Sequence, residues 1–221
     1  MSQIFLAGAS RGVGREIAKQ LVARGHQVIA LLRSDQAKAE LTAMGLTVVK
    51  GDALEAAAMI EAIAAHNPDT VISTIGGLPE DGSTRADFLG NKHLIDGAVA
   101  AQVKRFILIS SIGSGDSAQA LPPNVLEVLG AVLKEKAQAE DYLRESGLAY
   151  TVIRPGGLLS ESATGEEVLT EDITVAGSIP RAAVASLAVR CLESDRAVNK
   201  TFSAIDLSMQ RSKTDFEQVE L

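Results

Sequence analysis

One stretch, LAGASRGVGREIAKQL from Leu6 to Leu21, narrows the folds open to this chain more than any other. It sets Gly8, Gly12 and Gly14 in a G-x-x-x-G-x-G spacing, directly after an apolar strand-like run (QIFLAG) and directly before a helical one. Glycine in such a turn permits a tight reversal and close backbone approach. The helix that follows leaves its first N–H groups, around Gly12, Val13 and Gly14, without intrahelical partners. Those donors, the positive end of the helix dipole and the Ser10 hydroxyl together make an anion site suited to a pyrophosphate. A glycine pattern alone says little. Its place after the first strand of a strand–helix–strand unit gives it weight.

The rest of the chain repeats that unit. After QIFLAG the spacing predicts a helix from Val13 to Arg24. QVIALL then leads to one over Gln36–Met44, TVVK to one over Ala53–His66, TVIST to one over Asp87–Ala101, and RFILIS to one over Val125–Glu145 before YTVIRP. Strands separated by helices of this length imply right-handed crossovers and a parallel sheet. Hydrophobic residues are 46% of the chain and aromatics only 3%. Ala, Val, Ile and Leu therefore carry the apolar weight, as in strands buried on both faces. The fold class expected is α/β: a single-domain, doubly wound, mostly parallel sheet with helices on both faces. The domain is expected over residues 1–205, with a substrate lid around 156–180 and a frayed C-terminal tail over 206–221. Two polar loops, Gly76–Arg85 and Gly156–Asp172, follow strand ends, where open α/β sheets bind ligands.

The tip of the second strand reads ALLRSD, with Arg33 where a cofactor bearing a free ribose 2′-hydroxyl would want an acid. Arg33 and Arg11 can neutralise a 2′-phosphate through charge-assisted hydrogen bonds. The reading therefore favours NADP(H) over NAD(H). Asp35, two residues past the tip, reads as a helix N-cap. In KGDALEAA, Asp52 suits an adenine amino group and the Ala53 N–H a ring nitrogen; a capping box between Asp52 and Glu55 explains the same residues equally well.

Taken together, GASRGVG, GDALE, ADFLGNKHLIDGAVAAQVKRFILISSIGSG and KAQAEDYLRESGLAYTVIRPGGL resemble the atypical short-chain dehydrogenases/reductases. That NAD(P)H-binding Rossmann group includes biliverdin-IXβ/flavin reductases, and the resemblance runs from about Ile4 to Phe202. It implies that Ser73, Thr74, Ile75 and Gly76 pass under the nicotinamide ribose. It also implies that Ser110 and Ser111 face the reacting carbon and that Arg154, Pro155 and Gly156 line the nicotinamide. Lys136 resembles the family lysine that bonds the ribose, with Lys134 as its rival and an exposed helix charge as the plain alternative for either. Ser111 and Lys136 are thus the catalytic candidates, although a hydroxyl capping a strand end accounts for Ser111 as well.

The chain departs from the standard pattern at one position. Reductases of the Tyr-x-x-x-Lys type protonate an alkoxide with the tyrosine. Here Val132 stands four residues before Lys136 and Gly130 four before Lys134, while Tyr142 and Tyr150 follow both lysines. Ordinary alcohol–ketone chemistry is not expected. Hydride transfer to a flat conjugated acceptor, such as a flavin, a biliverdin-like tetrapyrrole or a quinone, needs little acid from the protein. The function expected is an NADPH-dependent reductase of such an acceptor; the alternative is a catalytically weak NADP(H)-binding sensor or assembly module.

The net charge of −7 argues against nucleic acid or an acidic membrane as partner. Cys191, the single cysteine, reads as a buried structural thiol. No histidine or cysteine spacing suggests a metal site; of His26, His66 and His93, only His93 falls near the expected cleft. No run of about 20 uncharged apolar residues occurs, and the chain opens on a strand-like run, so a cytoplasmic protein is expected, as a monomer by default.

Overall fold

The protein is seen here as a computed structural model that describes residues 1–77, 84–212 and 215–221. The elements follow the expected alternation: β1 (Gln3–Ala7), α1 (Gly12–Ala23), β2 (Gln27–Leu32), α2 (Lys38–Ala43), β3 (Thr47–Lys50), α3 (Ala56–His66), β4 (Thr70–Ser73), α4 (Leu89–Ala100), β5 (Arg105–Ile109), α5 (Pro123–Glu145) and β6 (Tyr150–Pro155). Three short strands come next, β7 (Gly157–Leu159), β8 (Glu167–Thr170) and β9 (Ser178–Pro180), then α6 (Arg181–Glu193) and β10 (Lys200–Asp206). Eight strands form one sheet in the order β3-β2-β1-β4-β5-β6-β10-β8. Every neighbouring pair in it is parallel except β10 with β8. This is the doubly wound α/β fold that the sequence implies. The strand order reverses between β1 and β4, and a ligand crevice opens there at the carboxyl ends of the strands.

Residues of β1 alternate between two apolar layers, because successive side chains of a strand point to opposite faces. Ile4 and Leu6 join Ile17, Leu21, Leu41, Val184 and Leu187 of α1, α2 and α6. Phe5 and Ala7 join Met59, Ile63, Leu94, Ile95 and Leu143 of α3, α4 and α5. Fully burying each large apolar side chain stabilises the fold by roughly 1.5–3 kcal/mol. Cys191 lies in the first layer, and burial pushes its thiol up to about 12, so it remains a thiol at neutral pH. Among the described residues, no helix is long and apolar enough to cross a membrane.

Several boundaries differ from the sequence expectation, for local reasons. Helix α3 starts at Ala56 rather than Ala53, because the Asp52 carboxylate accepts the Leu54 N–H (2.9 Å) in an Asx turn. A 3₁₀ turn over Asp35–Ala37 precedes α2. Parts of the region expected to form a lid are strands: β7 pairs with β9, and β8 closes the edge of the main sheet against β10. The segment expected to fray is docked. The Val219 N–H donates to the Leu169 carbonyl (2.8 Å), Val219 and Leu221 pack on the first layer, and Phe216 packs beside Ile112, Val175 and Ile205. Most of the Gly76–Arg85 loop lies outside the described residues.

Beneath the ends of β5 and β6 lies a buried ionic cluster. Arg154, 2% exposed, holds the fully buried Glu140 of α5 through Nε (3.2 and 3.1 Å) and Nη2 (2.6 Å), and reaches Asp116 through Nη1. Ser110 Oγ donates to the same Glu140, and Arg144 adds a further bond at 3.0 Å. Burial alone would lower the Arg154 pKa, but its hydrogen bonds and attraction to Glu140 and Asp116 leave it raised. Removing one partner from such a cluster strands a buried charge. We expect Glu140→Ala to destabilise the fold by about 3–5 kcal/mol, read as a fall in denaturant midpoint at unchanged slope. A loss below about 1 kcal/mol, typical of an exposed pair, would show that Glu140 does not fix Arg154.

Candidate active site

The glycine loop is the tightest part of the crevice. Gly8 has φ +94°, and a Cβ there would stand 2.3 Å from Thr74 Oγ1 at the end of β4. A Cβ on Gly14 would stand 2.2 Å from the Gly8 carbonyl oxygen. Only glycine lets α1 begin this close to β1 and β4. Thr74 seals the junction by donating its hydroxyl to the carbonyls of Ala7 (3.1 Å) and Gly8 (3.3 Å). Gly12, at φ +58°, differs: the nearest atoms to a Cβ there belong to Arg181, at 3.8 and 3.9 Å. Helix α1 therefore opens with no side-chain cap and no acid in its first turn. Val13 is buried beneath it, and Ser10 is half-exposed. A bare helix N-terminus at the end of a glycine cradle fits a phosphate-bearing ligand.

At the tip of β2, Arg33 is exposed. Asp35, its nearby acid, is not the N-cap the sequence suggested. It pairs with Lys50 at 2.8 Å, and the Lys50 hydrogen bond holds its carboxyl below the usual carboxylate range. That pairing leaves Arg33 as the charge at the strand tip. Asp52 and Ala53 sit in the turn after β3. The capping box is replaced there by the Asx turn, and His93 Nδ1 lies 2.9 Å from the Ala53 carbonyl. His93 thus ties α4 to this turn.

The opposite end of the crevice separates the two lysines. Lys134 is exposed, whereas Lys136 Nζ lies 3.0 Å from Asp87 Oδ1 and 3.0 Å from where a Cβ on Gly76 would stand. Asp87 is fully buried and also accepts the Gly77 N–H with both oxygens (3.0 Å each). The β4 end, Gly76, Asp87 and Lys136 therefore form one constellation. Sequence reasoning missed Asp87. The available signal was a carboxylate just before α4, facing a loop that needs its backbone N–H groups held.

Other sequence candidates turn their side chains into the protein. Ser73 Oγ donates to Asn91, and Ser110 Oγ donates to Glu140, so neither hydroxyl proton is left for a ligand. Ser111 Oγ donates to the Ile112 carbonyl (2.9 Å), which is the strand-end alternative; the hydroxyl oxygen keeps its capacity to accept. Ile75 packs on the second layer, and the Pro155 carbonyl accepts the Ile112 N–H. Gly156 is required for packing, since a Cβ would stand 2.3 Å from the Gly177 carbonyl oxygen. Both tyrosines are engaged elsewhere. Tyr142 donates to Asp96 (2.6 Å) and meets Phe88 edge-on, and Tyr150 opens β6. Val132, one turn before Lys136, is buried. Arg181, the first residue of α6, also borders the cradle, with Nε 3.8 Å from where a Cβ on Gly12 would be. An arginine stands there at a helix start, where the dipole disfavours a cation.

Residues 8–195 match the model of the NAD(P)H-binding family. The chain belongs to this family. It is an NAD(P)H-dependent oxidoreductase of the atypical short-chain dehydrogenase/reductase type. Its fold superimposes on the anaerobilin reductase ChuY of Escherichia coli O157:H7 with a TM-score of 0.84 and 32% identity, covering 95% of this chain and 100% of that one. An uncharacterized chloroplast protein of Arabidopsis thaliana is 35% identical over 201 residues, 86% of this chain and 71% of its own length. Sanguinarine reductase of Eschscholzia californica is 37% identical over 125 residues, 53% of this chain and 44% of that protein.

Gly14 gives the sharpest check on the cradle. Gly14→Ala forces its methyl against the Gly8 carbonyl, so we expect about 1–3 kcal/mol of lost stability and loss of dinucleotide binding. Thermal unfolding and calorimetric titration of the same preparation read the two effects; unchanged binding would place the ligand elsewhere.

Proposed function

We propose that this oxidoreductase uses NADPH to reduce a flat, conjugated acceptor such as a flavin, a biliverdin-like tetrapyrrole or a quinone. The observation that carries the reading is Val132 one turn before Lys136, with both tyrosines committed to other contacts. A family member with this cradle and no tyrosine acid suits acceptors that spread incoming charge over a π-system, with the proton drawn from water. Relatives named as reductases of anaerobilin and of sanguinarine support the reductase class.

When bound, the reduced nicotinamide supplies the hydride. The chain's own residues position and hold. The open N-terminus of α1 and the glycine loop take the pyrophosphate, and the Asp52–Ala53 turn receives the adenine. Arg33, freed from competition by the Asp35–Lys50 pair, reads the 2′-phosphate. Lys136, aimed by the buried Asp87, donates to the nicotinamide ribose, and Ser111 offers a polar contact beside the reacting carbon. The Gly156 and Pro155 backbone closes the nicotinamide side.

Purified protein mixed with NADPH and a panel of FMN, biliverdin, a quinone and a simple ketone tests the reading. We expect loss of nicotinamide absorbance with at least one conjugated acceptor and none with the ketone. Binding of NADPH without oxidation by any panel member would overturn the reductase reading in favour of a sensor or assembly role. Cofactor choice has its own check: Arg33→Asp should weaken NADPH binding by about 2–4 kcal/mol while NADH changes far less. Equal weakening of both would mean that Arg33 does not read the 2′-phosphate.

A further inference from the structure

Two helices open onto one cleft, and both do so with an arginine. Helix α1 follows Arg11, and α6 begins at Arg181; neither has an acid in its first turn. A cation at a helix N-terminus opposes the helix dipole, so each arginine stands where the helix itself favours an anion. The two ends are adjacent. Arg181 Nε and Cδ lie 3.8 and 3.9 Å from where a Cβ on Gly12 would be, and Gln20 of α1 bonds the Ala182 carbonyl at 3.0 Å. Between them opens a cleft of about 620 Å³, lined by Arg11, Gly12, Arg181 and the Leu159–Ser162 stretch. Two carboxylates, Glu16 and Glu161, also border it, but Glu16 is bonded to Lys19 (2.8 Å). Among the described residues Arg181 has no carboxylate partner; Nη1 donates only to the neutral Ser160 Oγ, at 2.9 Å.

We propose that Arg181 is a binding residue for the dinucleotide's pyrophosphate and that, through Ser160, it ties the segment after β7 to the bound cofactor. The inference rests on the dinucleotide reading of the glycine loop and adds to it a residue from the far end of the chain. Arg181 supplies the atoms within 4 Å of where a Cβ on Gly12 would be, so a phosphate seated on the α1 N-terminus lies within reach of that guanidinium. A planar, doubly donating guanidinium can grip a phosphate oxygen and keep one N–H for Ser160. The cofactor thereby holds down the segment carrying Ser160, Glu161 and Ser162, which follows the expected nicotinamide side of the site. Arg33 and Arg181 divide the labour: one reads the 2′-phosphate that separates the two cofactors, the other reads the pyrophosphate they share.

Calorimetric titration of wild type, Arg181→Ala, Arg181→Lys and Arg33→Asp with NADP⁺, NAD⁺ and adenosine 2′-monophosphate tests this. Thermal unfolding confirms that each variant is folded. We expect Arg181→Ala to weaken NADP⁺ and NAD⁺ alike, by about 10- to 50-fold, the loss of one charge-assisted contact, while the 2′-monophosphate is unaffected and Arg181→Lys recovers part of the loss. Hydrogen exchange over residues 157–166 should slow on NADP⁺ binding in wild type, and lose that slowing in Arg181→Ala and Ser160→Ala. Arg181→Ala binding both dinucleotides within about twofold of wild type overturns the proposal. So does a loss confined to NADP⁺, which would assign Arg181 to the 2′-phosphate. Unaltered exchange in the variants overturns the tie to Ser160. Wild type binding neither dinucleotide refutes the cofactor reading itself, an outcome distinct from all of these.

Discussion

The closeness of α1 to the ends of β1 and β4 is the constraint on which the rest of this molecule depends. Gly8 and Gly14 press carbonyl against backbone with no room for a methyl group, and the Thr74 hydroxyl locks the junction. Because of that contact, the first turn of α1 faces the crevice between β1 and β4 instead of solvent. The same contact sets the layer that buries Ile17 and Leu21 against Ile4 and Leu6, so site geometry and core packing are one structural fact. A side chain at either glycine would move the helix, and the anion-favouring N–H groups would move with it.

The second half of the site is fixed by buried charge rather than by close backbone packing. Glu140 draws Arg154 and Ser110 together beneath the ends of β6 and β5, while Asp87 draws Lys136 and the Gly77 N–H together at the end of β4. Each carboxylate is fully buried. Desolvating such groups is expensive, and each arrangement is tolerable only because several donors converge on one acid. The two clusters differ in reach. The Glu140 cluster keeps its charges inside the protein and shapes the strand ends, whereas Lys136 retains some exposure and stands beside Gly76 at the mouth.

Elements built from local pattern were legible in the sequence: the strand–helix alternation, the sheet's parallel character and the glycine loop between β1 and α1. What escaped was set by tertiary pairing. Asp87 and Lys136 are far apart in the chain, and the charge preference that joins them leaves no periodic trace. Asp52 looked equally like an adenine contact or half of a capping box, and the Leu54 N–H decides the turn in a way that neither spacing nor propensity encodes. The C-terminal residues are polar enough to read as frayed, yet Phe216, Val219 and Leu221 find apolar partners that only the assembled sheet provides. Arg181 is an intermediate case: an arginine opening a helix conflicts with the dipole, and such local conflicts tend to mark functional positions.

On the proposed reading, the replacement of a tyrosine by Val132 changes more than the proton supply. A phenol one turn before Lys136 would compete with Asp87 for the ammonium and would place a polar group against the acceptor. A valine leaves Asp87 as the charged partner of Lys136 and brings no polar group to that turn. One substitution therefore acts twice: it withdraws the acid that ketone chemistry requires, and it leaves the Asp87–Lys136 pair without a competitor. The polar atoms left at the mouth, the Lys136 ammonium and the Ser111 hydroxyl, are then suited to fixing the orientation of bound molecules, with the electron flow governed by the acceptor's own delocalisation.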